Sequence, residues 1–405
     1  MSAVTITDAE TLVRERLEEL LAKGDTTDVP GFWGLQYDLG LAWVHFPVGF
    51  GGLGVAPSLQ QIVNEALKDL GTVGGPRAGL IGLGMAAPTI AVHGTDAQRQ
   101  RYLRPLFTGE EFWCQLFSEP GSGSDLASLS TRAVLDGEEW VINGQKVWTS
   151  GGHLSDHGIL VTRTNPNAPK HRGLTYFIVE MHAPGVDVRP LRQMTGGAEF
   201  NEIFLTDVRI PDSDRLGDVG TGWHVALTTL MNERVTIGSR QMPRGSGVIA
   251  EAVRVYEQRG HHDKARQDQL MKLWAANETL RLISLRANEA RKAGTPGPEG
   301  SVGKLQFAEL NKATTELAVD LLGEDGQLYA TYELVDRPGH IHSGGLSYEP
   351  TEDDTLRRMF LRARANSIEG GTSEVMRNIL AERVLGLPGD VRTDKDRPWI
   401  EVPRN

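Results

Sequence analysis

The stretch FWCQLFSEPGSGSDLASLSTRA, residues 112–133, marks the point where the chain changes from a helical to a strand-like pattern. Its opening residues predict a short strand, and Ser118–Asp125 ends that strand with small residues. Small residues allow a ligand to approach the backbone closely. Taken alone, a glycine–serine loop of this kind is more often only a turn.

Downstream of this stretch, short runs of apolar and polar residues alternate, as in STRAVLDGEEWVINGQKVWTSGG, HGILVTR and NEIFLTDVRIP. Asp136-Gly137 and Asn143-Gly144 are both strong hairpin signals. We therefore predict a middle domain over residues 112–219 that forms an antiparallel β-barrel or sandwich.

Helical periodicity dominates on both sides of this domain, which predicts a multidomain α and β protein. Residues 1–111 are predicted to form an N-terminal helical domain, in which Val13, Leu17, Leu20 and Leu21 repeat at helical spacing. Residues 220–405 are predicted to form a C-terminal four-helix bundle. Its predicted helices cover about 222–241, 246–258, 265–293, 303–322 and 372–385, and a turn-rich insertion covers 324–355.

Composition limits the partners and the compartment. The 405 residues carry 42 Lys+Arg against 53 Asp+Glu, a net charge of −11, so we expect neither nucleic acid nor an anionic membrane as a partner. Cys114 is the only cysteine, which excludes an internal disulfide and favours a reducing compartment. The N-terminus lacks the pattern of a signal peptide, and no apolar tract is long enough for a membrane span. These features predict a cytoplasmic protein.

Two other kinds of site are not predicted. His261, His262, His340 and His342 lack the spacing of a metal-ligand set, so we expect no metal. The chain has no Walker loop and no Gly-x-Gly-x-x-Gly between a strand and a helix, which argues against an ordinary dinucleotide-binding fold.

Three separated motifs nevertheless carry a specific resemblance. The opening stretch, NGQKVWTSGG at 143–152 and EGGTSEVMRNILAERVLGLP at 369–388 resemble the signatures of the acyl-CoA dehydrogenase family. The ending resembles the branch that degrades steroid side chains and branched acyl-CoAs. The resemblance extends over nearly the whole chain. It implies FAD between the middle barrel and the C-terminal bundle, and oxidation of an acyl-CoA thioester to a trans-2-enoyl-CoA.

The resemblance also implies cofactor contacts by position. Trp148 would lie against the flavin, and Thr149 and Ser150 would reach its N5 and O4 edge, where hydrogen bonds raise the flavin's ability to accept hydride. Without the resemblance, Trp148 is more simply a core aromatic residue on a strand. Further contacts with flavin, acyl-CoA or the rest of FAD are implied for Phe117, Ser118, Ser124, Gly323, Thr372 and Glu374.

The catalytic base requires a choice between two glutamates. Many family members carry the base directly before Gly-Thr near the C-terminus, but here that position is Gly370, and Glu369 lies one residue too early. The resemblance implies that the Gly370 N–H binds the thioester carbonyl instead. Other members carry the base on a helix of the bundle, and ALTTLMNERVTIGSRQ places Glu233 at that position. Arg234 would shape the CoA entrance or hold the glutamate, although a Glu–Arg pair is usually a solvated surface pair.

Burial beside the flavin and the acyl chain would raise the pKa of Glu233 towards neutrality, which suits a proton acceptor.

One departure from the family pattern leaves the assembly open. Members usually carry an Arg-x-x-Phe-Gly stretch that contacts FAD across subunits, and this chain has no Phe-Gly pair in the matching region. Arg254, Arg259 and Arg266 are the candidate substitutes. Because the positions of Glu233, Trp148 and Thr372 match the family, the chain is still interpreted as an active dehydrogenase. The resemblance implies that it passes electrons to an electron-transferring flavoprotein. The alternatives are a catalytically silent partner subunit and an acyl-CoA oxidase, in a homo- or hetero-oligomer of two or four subunits.

Overall fold

The computed structural model of the chain describes residues 6–70, 79–238, 243–259, 263–292, 297–328, 352–389, 391 and 393–403. Internal contacts divide the chain into two compact units. Unit 1 comprises Met1–Pro190, Glu199–Asn232 and Asp394–Asn405, and unit 2 comprises Leu191–Ala198 and Glu233–Thr393. None of the helices in the described ranges combines the length and apolarity that crossing a membrane requires.

The N-terminal part of unit 1 is helical, as predicted. Val13 and Leu20 of the first helix are fully buried, whereas Leu21 is 46% exposed at the edge of the apolar stripe. Thr95 and Gln98 form a reciprocal capping box that starts the sixth helix, and Gly109 ends it at a φ of 75°. The helices are α1 (Ile6–Lys23), α2 (Val29–Asp38), α3 (Gln60–Leu67), α4 (Gly79–Ile81), α5 (Ala87–His93) and α6 (Asp96–Thr108).

Unit 1 also contains the predicted β-rich middle region, whose strands join in one sheet. The strands are β1 (Trp113–Leu116), β2 (Arg132–Asp136), β3 (Glu139–Ser150), β4 (His157–Arg163), β5 (Leu174–Glu180), β6 (Val186–Leu191), β7 (Phe200–Pro211) and β8 (Arg215–Leu216). Their order in the sheet is β6-β7-β3-β2-β4-β5-β8, and β1 pairs with β4. Alternate residues such as Ile142, Leu160 and Phe177 are fully buried in the core on one face of the sheet.

The predicted closed antiparallel barrel is wrong. The sheet path ends at β6 and β8, which do not pair with each other in the described part of the chain. The sheet is also mixed, because β1 and β2 both pair with β4 in parallel. Hairpin signals report only strands that are neighbours in sequence, so they carry no information about these crossover pairs.

One of the two predicted hairpins is confirmed, and the other is wrong. Gly137 adopts a φ of 67° between the antiparallel strands β2 and β3. Asn143 and Gly144 instead lie inside β3 at a register shift opposite β7. The Asn143 side chain exchanges two hydrogen bonds with Asp207, at 2.9 and 3.0 Å. A Cβ atom on Gly144 would lie 2.3 Å from the Thr131 hydroxyl, so close packing explains this glycine.

The C-terminal region is helical at the predicted places, and it contains one further helix, α11 (Glu352–Ala363), that was not predicted. The helices are α7 (Gly222–Gly238), α8 (Val248–Gln258), α9 (Lys264–Lys292), α10 (Glu299–Leu322), α11 (Glu352–Ala363) and α12 (Ser373–Arg383). The boundary between the units falls within α7, after Asn232. Ile249, Leu270, Leu317 and Leu356 belong to one buried cluster of unit 2. The arrangement as a four-helix bundle stays a prediction, and most of the predicted insertion, 329–351, lies outside the described residues.

Candidate functional site

Two of the three motifs meet in unit 1, where the segment after β1 lies against β3. The Lys146 ammonium donates a hydrogen bond to the Phe117 carbonyl at 2.9 Å. The Val147 N–H donates to the Ser118 carbonyl at 2.9 Å. The ring of Phe117 is buried and packs edge-on against Tyr176, with 5.9 Å between the ring centroids. The structure therefore brings Phe117 and Ser118 close to Trp148 and Thr149 in space.

Trp148 is not a core aromatic residue. Its side chain is 61% exposed, and its only described ring contact is an edge-on contact with Phe200 at 6.1 Å. Its φ of 62° lies in the left-handed region, at a register shift between Lys146 and Thr149. A bulky residue in this region costs about 1–3 kcal/mol and persists only where the surroundings enforce it. A large aromatic ring is thus held in an accessible position.

Thr149, the next residue, is almost completely buried. Its carbonyl accepts a hydrogen bond from the Asn201 amide at 2.9 Å. Its hydroxyl has no hydrogen-bond partner among the described residues, which typically costs about 1–3 kcal/mol. Ser150, partly buried, ends β3 opposite Phe200.

The glycine–serine loop after β1 is open on the side of its glycines. The backbones of Glu119 and Ser122 exchange hydrogen bonds at 2.9 and 3.0 Å. A Cβ atom added at Gly121 or Gly123 would meet no atom within 4 Å, and neither residue adopts a positive φ. Neither packing within the described chain nor backbone conformation therefore requires these glycines. The open space beside them would admit a ligand close to the backbone, and Ser124 beside them is exposed.

A buried ion pair supports this region and was missed by the sequence analysis. Lys146 and Glu119 lie 2.9 Å apart, with side-chain exposures of 0% and 5%. Glu119 also accepts hydrogen bonds from Ser130 and from the Thr131 N–H, at 2.7–2.9 Å. Burial works against the charged form of Glu119, but Lys146 and these hydrogen bonds lower its pKa to about 2. Burial lowers the pKa of Lys146, and Glu119 opposes that shift.

Residues Asp394–Pro403, here called the C-terminal strap, pack on the same unit. The Trp399 N–H donates to the Ala168 carbonyl at 2.9 Å, and its indole N–H donates to the Ser128 carbonyl at 3.1 Å. The Lys170 ammonium donates to both Asp125 carboxylate oxygens at 2.9 Å and to Asp394 at 2.5 Å. The strap is therefore linked to the end of the glycine–serine loop.

The third motif lies in unit 2 and forms the turn before α12. Gly370 and Gly371 adopt φ values of 63° and 95°, which glycine tolerates best. Thr372 is the N-cap of α12, and its hydroxyl accepts a hydrogen bond from the Val375 N–H at 3.1 Å. The Lys304 ammonium of α10 donates to the carbonyls of Asn366, at 3.0 Å, and Gly371. We call residues 366–372 the Gly370 turn.

Glu369 is held by its neighbours within this turn. Arg362 donates to both of its carboxylate oxygens, at 3.1 and 2.7 Å. The Asn366 amide donates to one of the same oxygens at 2.7 Å. Glu369 therefore anchors the turn to α11 through Arg362.

Glu233 lies near the C-terminal end of α7 and is partly buried. Burial lowers the pKa of Lys304, and the carboxylates of Glu369 and Glu233 oppose that shift. Glu233 thus lies within electrostatic range of the ammonium that binds the Gly370 turn. The side chain of its neighbour Arg234 lies outside the described residues.

The remaining predicted residues have visible structural roles. Gly323 ends α10 at a φ of 63°. Glu374 is exposed and lies 3.4 Å from Arg377. Arg254 pairs with Glu251 at 2.9 Å, and Arg259 pairs with Asp325 at 2.7 Å. The two histidine pairs lie outside the described residues. A surface cavity of about 640 Å³ in unit 1, lined by Thr95, Arg101 and Asp214 among others, contains none of the predicted site residues.

Comparison with known proteins agrees with these motifs. Three family models match, for the N-terminal domain of acyl-CoA dehydrogenases at 6–110, the middle domain at 114–208 and the C-terminal domain at 220–385. Acyl-CoA dehydrogenase FadE34 of Mycobacterium tuberculosis is 38% identical over 87% of this chain, which spans only 45% of that relative's length. Acyl-CoA dehydrogenase IpdE1 of the same organism is 38% identical, over 76% of this chain and 75% of its own length.

A solved structure also matches. The ChsE4-ChsE5 complex from Mycobacterium tuberculosis contains a chain that superposes with a TM-score of 0.67 and 27% identity, over 96% of this chain and 100% of that one. The chain therefore belongs to the acyl-CoA dehydrogenase family. Its architecture is the helical, β and helical domain order of that family, and it is an oxidoreductase that acts on acyl-CoA.

Members of this family are FAD-dependent flavoproteins, and the residues of unit 1 fit such a cofactor. Trp148 presents an accessible aromatic face, Thr149 has a buried hydroxyl without a described partner, and Gly121 and Gly123 leave space beside their backbones. An aromatic surface, polar groups and an open backbone suit a planar ring with a polar edge. The exact role of each residue remains a prediction.

Proposed function

We propose that this chain catalyses the FAD-dependent α,β-dehydrogenation of an acyl-CoA thioester to a trans-2-enoyl-CoA, with Glu233 as the α-proton base. The observation that carries this proposal is the position of Lys304. Its ammonium donates to the Gly371 carbonyl and interacts electrostatically with Glu233. The charge of the proposed base and the turn proposed to bind the thioester therefore both act on the same ammonium group.

The contacts of Glu369 and the sequence position of Glu233 support this choice of base. Glu369 is fixed by paired hydrogen bonds from Arg362 and a third from Asn366. These contacts fix the direction of the Glu369 carboxylate, which keeps it from turning towards the α-carbon of a substrate. Glu233 stands on a different element, at the position where some family members carry their base.

The reaction removes a proton from the α-carbon and a hydride from the β-carbon, and a double bond forms between them. Glu233 accepts the proton, and the Gly370 N–H donates to the thioester oxygen, where negative charge develops as the proton leaves. Bound FAD would supply the acceptor for the β-hydride. Trp148 would pack against its ring, and Thr149 and Ser150 would donate hydrogen bonds to its polar edge.

We propose steroid side-chain or branched acyl-CoAs as the substrate class and an electron-transferring flavoprotein as the electron acceptor. The resemblance of the C-terminal motif to the steroid-degrading branch supports the substrate class. The matched relatives are themselves named acyl-CoA dehydrogenases, which supports the reaction.

The test is anaerobic reduction of the bound flavin by a panel of acyl-CoAs. The measurement is the loss of the flavin's visible absorbance. Native protein is expected to be bleached by at least one steroid or branched acyl-CoA. Because a general base typically contributes about 10²–10⁴-fold, Glu233→Gln should slow this step by that factor. The matched variant Glu369→Gln should lose less activity than Glu233→Gln, because a glutamine oxygen can still accept a hydrogen bond from Arg362. The reverse ranking would make Glu369 the base, and rapid peroxide release in air would indicate an oxidase.

A second candidate is a catalytically silent subunit that supports an active homologue. Arg254 and Arg259, two of the possible replacements for the missing Arg-x-x-Phe-Gly contact, are engaged with Glu251 and Asp325. The matched ChsE4-ChsE5 structure is a complex of two different proteins. If this candidate is correct, the chain purified alone will lack flavin, and co-expression with a homologous subunit will restore it. Flavin-bound, active homo-oligomers of this chain would exclude it.

A further inference from the structure

The ammonium of Lys304 in α10 contacts the backbone of the Gly370 turn, which lies more than 60 residues later in the sequence. It donates to the carbonyl of Asn366 at 3.0 Å and to that of Gly371. These two acceptors flank Gly370 on both sides. Hydrogen bonds from a charged donor are about twice as strong as neutral ones.

We propose that Lys304 is a positioning residue for the Gly370 turn, which holds the Gly370 N–H in the direction that the thioester oxygen requires. This inference rests on the proposed function, in which that N–H is one of the donors to the thioester.

The turn needs such a restraint because of its sequence. Gly370 and Gly371 adopt positive φ values, and glycine has the largest conformational freedom of any residue. A second side chain restrains the same turn, since the Asn311 amide donates to the Asn366 side-chain oxygen at 2.6 Å. Two polar side chains of α10 thus contact this turn, in addition to the contacts that hold Glu369.

A simpler alternative is that Lys304 only neutralises nearby carboxylates. Its ammonium interacts with Glu233, Glu309, Glu369 and Glu374. Other cations already serve three of these groups, because Arg362 pairs with Glu369, Lys312 with Glu309, and Arg377 with Glu374. Charge balance alone also gives no reason for the ammonium to contact two backbone carbonyls on either side of one residue.

The experiment compares Lys304→Met, Lys304→Gln and the control Lys312→Met in FAD-loaded protein. Lys312→Met removes the same charge from the same helix, eight residues or about 12 Å further along. In the native chain the Lys312 ammonium contacts Glu309 at 3.2 Å. A displaced catalytic group can cost about 100-fold, so Lys304→Met should lower kcat by about that factor. KM should change little, since the lost contact matters most in the transition state. Lys304→Gln, which keeps a shorter neutral donor, should lie between native and Met.

Two readouts separate positioning from general damage. The infrared carbonyl band of a ¹³C-labelled enoyl-CoA thioester bound to the oxidised enzyme should shift back towards its free frequency in Lys304→Met, but not in Lys312→Met. Amide hydrogen exchange without substrate should accelerate at residues 366–372 in Lys304→Met alone. Should Lys304→Met not fold, Lys304→Gln carries both measurements.

The inference is overturned if Lys304→Met and Lys304→Gln retain the native kcat and the native exchange, or if Lys312→Met loses as much. A native chain whose flavin no acyl-CoA reduces would instead refute the proposed function. Even then, the exchange measurement tests the restraint by itself, so the two failures are distinguishable.

Discussion

Glu119 and Lys146 form an ion pair at 2.9 Å, and both side chains are almost completely removed from solvent. Glu119 belongs to the first motif and Lys146 to the second, so the pair joins the two segments that precede Ser124 and Trp148. An ion pair at this depth is costly to break, because the remaining partner would be a buried charge without its counter-ion.

Acid should weaken the fold through Glu119. A carboxyl with a lower pKa in the folded chain stabilises the fold above its unfolded pKa, and this contribution is lost as the pH falls towards the folded value. For Glu119 the loss runs from about its ordinary value of 4.5 down to about 2. Urea unfolding at pH 6 and pH 3 should therefore show a smaller acid loss in Glu119→Gln than in native protein. Equal losses in both proteins would contradict this expectation.

Lys146→Met should reduce the free energy of unfolding by about 3–5 kcal/mol, as expected when one partner of a buried pair is removed. The measurement is the urea midpoint at neutral pH. Lys23→Met is the matched control, since Lys23 also pairs with a glutamate, Glu19 at 2.7 Å, but on an exposed helix surface. The control should unfold at the native midpoint, and a similar shift in both variants would show that burial of Lys146 has no special effect.

Alanine at Gly121 or Gly123 should impair ligand binding without weakening the fold. Neither position has atoms near an added Cβ or a positive φ, so stability should stay the same or rise by about 0.4–1 kcal/mol. A methyl group in the path of the ligand should weaken binding of FAD or acyl-CoA by about tenfold, which corresponds to about 1.4 kcal/mol of overpacking. Flavin titration and KM measure this effect. Gly300→Ala, at an equally open glycine in α10, should leave flavin affinity and KM unchanged.

Trp399→Ala should detach the C-terminal strap. Trp399 is 7% exposed and lies 4.5 Å from the Arg163 guanidinium, so its truncation should cost about 3 kcal/mol. Ile400→Ala is the control, because Ile400 is 55% exposed in the same strap. Circular dichroism during urea unfolding measures stability, and proteolysis of residues 119–130 reports on the loop that Lys170 holds. Identical behaviour of the two variants would show that the strap does not depend on its tryptophan.

Periodicity was sufficient to predict five of the six C-terminal helices in the described ranges, but α11 was not predicted. The predicted ranges 265–293 and 303–322 correspond to Lys264–Lys292 and Glu299–Leu322, because each helix carries a continuous pattern of its own. Closure of the sheet could not be predicted in this way. Whether β1 pairs with β4 depends on contacts between segments that are distant in sequence, such as Trp113 with His157.

The same limit applies to the site. In a regular strand every second residue points to the same face, and Trp140 and Ile142 of β3 point inward. The same alternation would place Lys146 and Trp148 on that inward face. Lys146 is indeed buried, so a signal for the ion pair was present, but charged residues in strands are usually interpreted as solvent-facing. Trp148 departs from the alternation because the register shift before Thr149 reverses the faces, and a bulge of this kind has no simple sequence signature.

The strap also bears on how this protein should be shortened for study. The family match ends at residue 385, which invites truncation at the end of the last long helix. Such a cut would discard Asp394 and Trp399, which belong to the compact unit of the sheet. Among the described residues, it would leave Lys170 with Asp125 as its one carboxylate contact. The C-terminal strap is the last segment of the chain in sequence, but it packs as part of the region that supports the first motif.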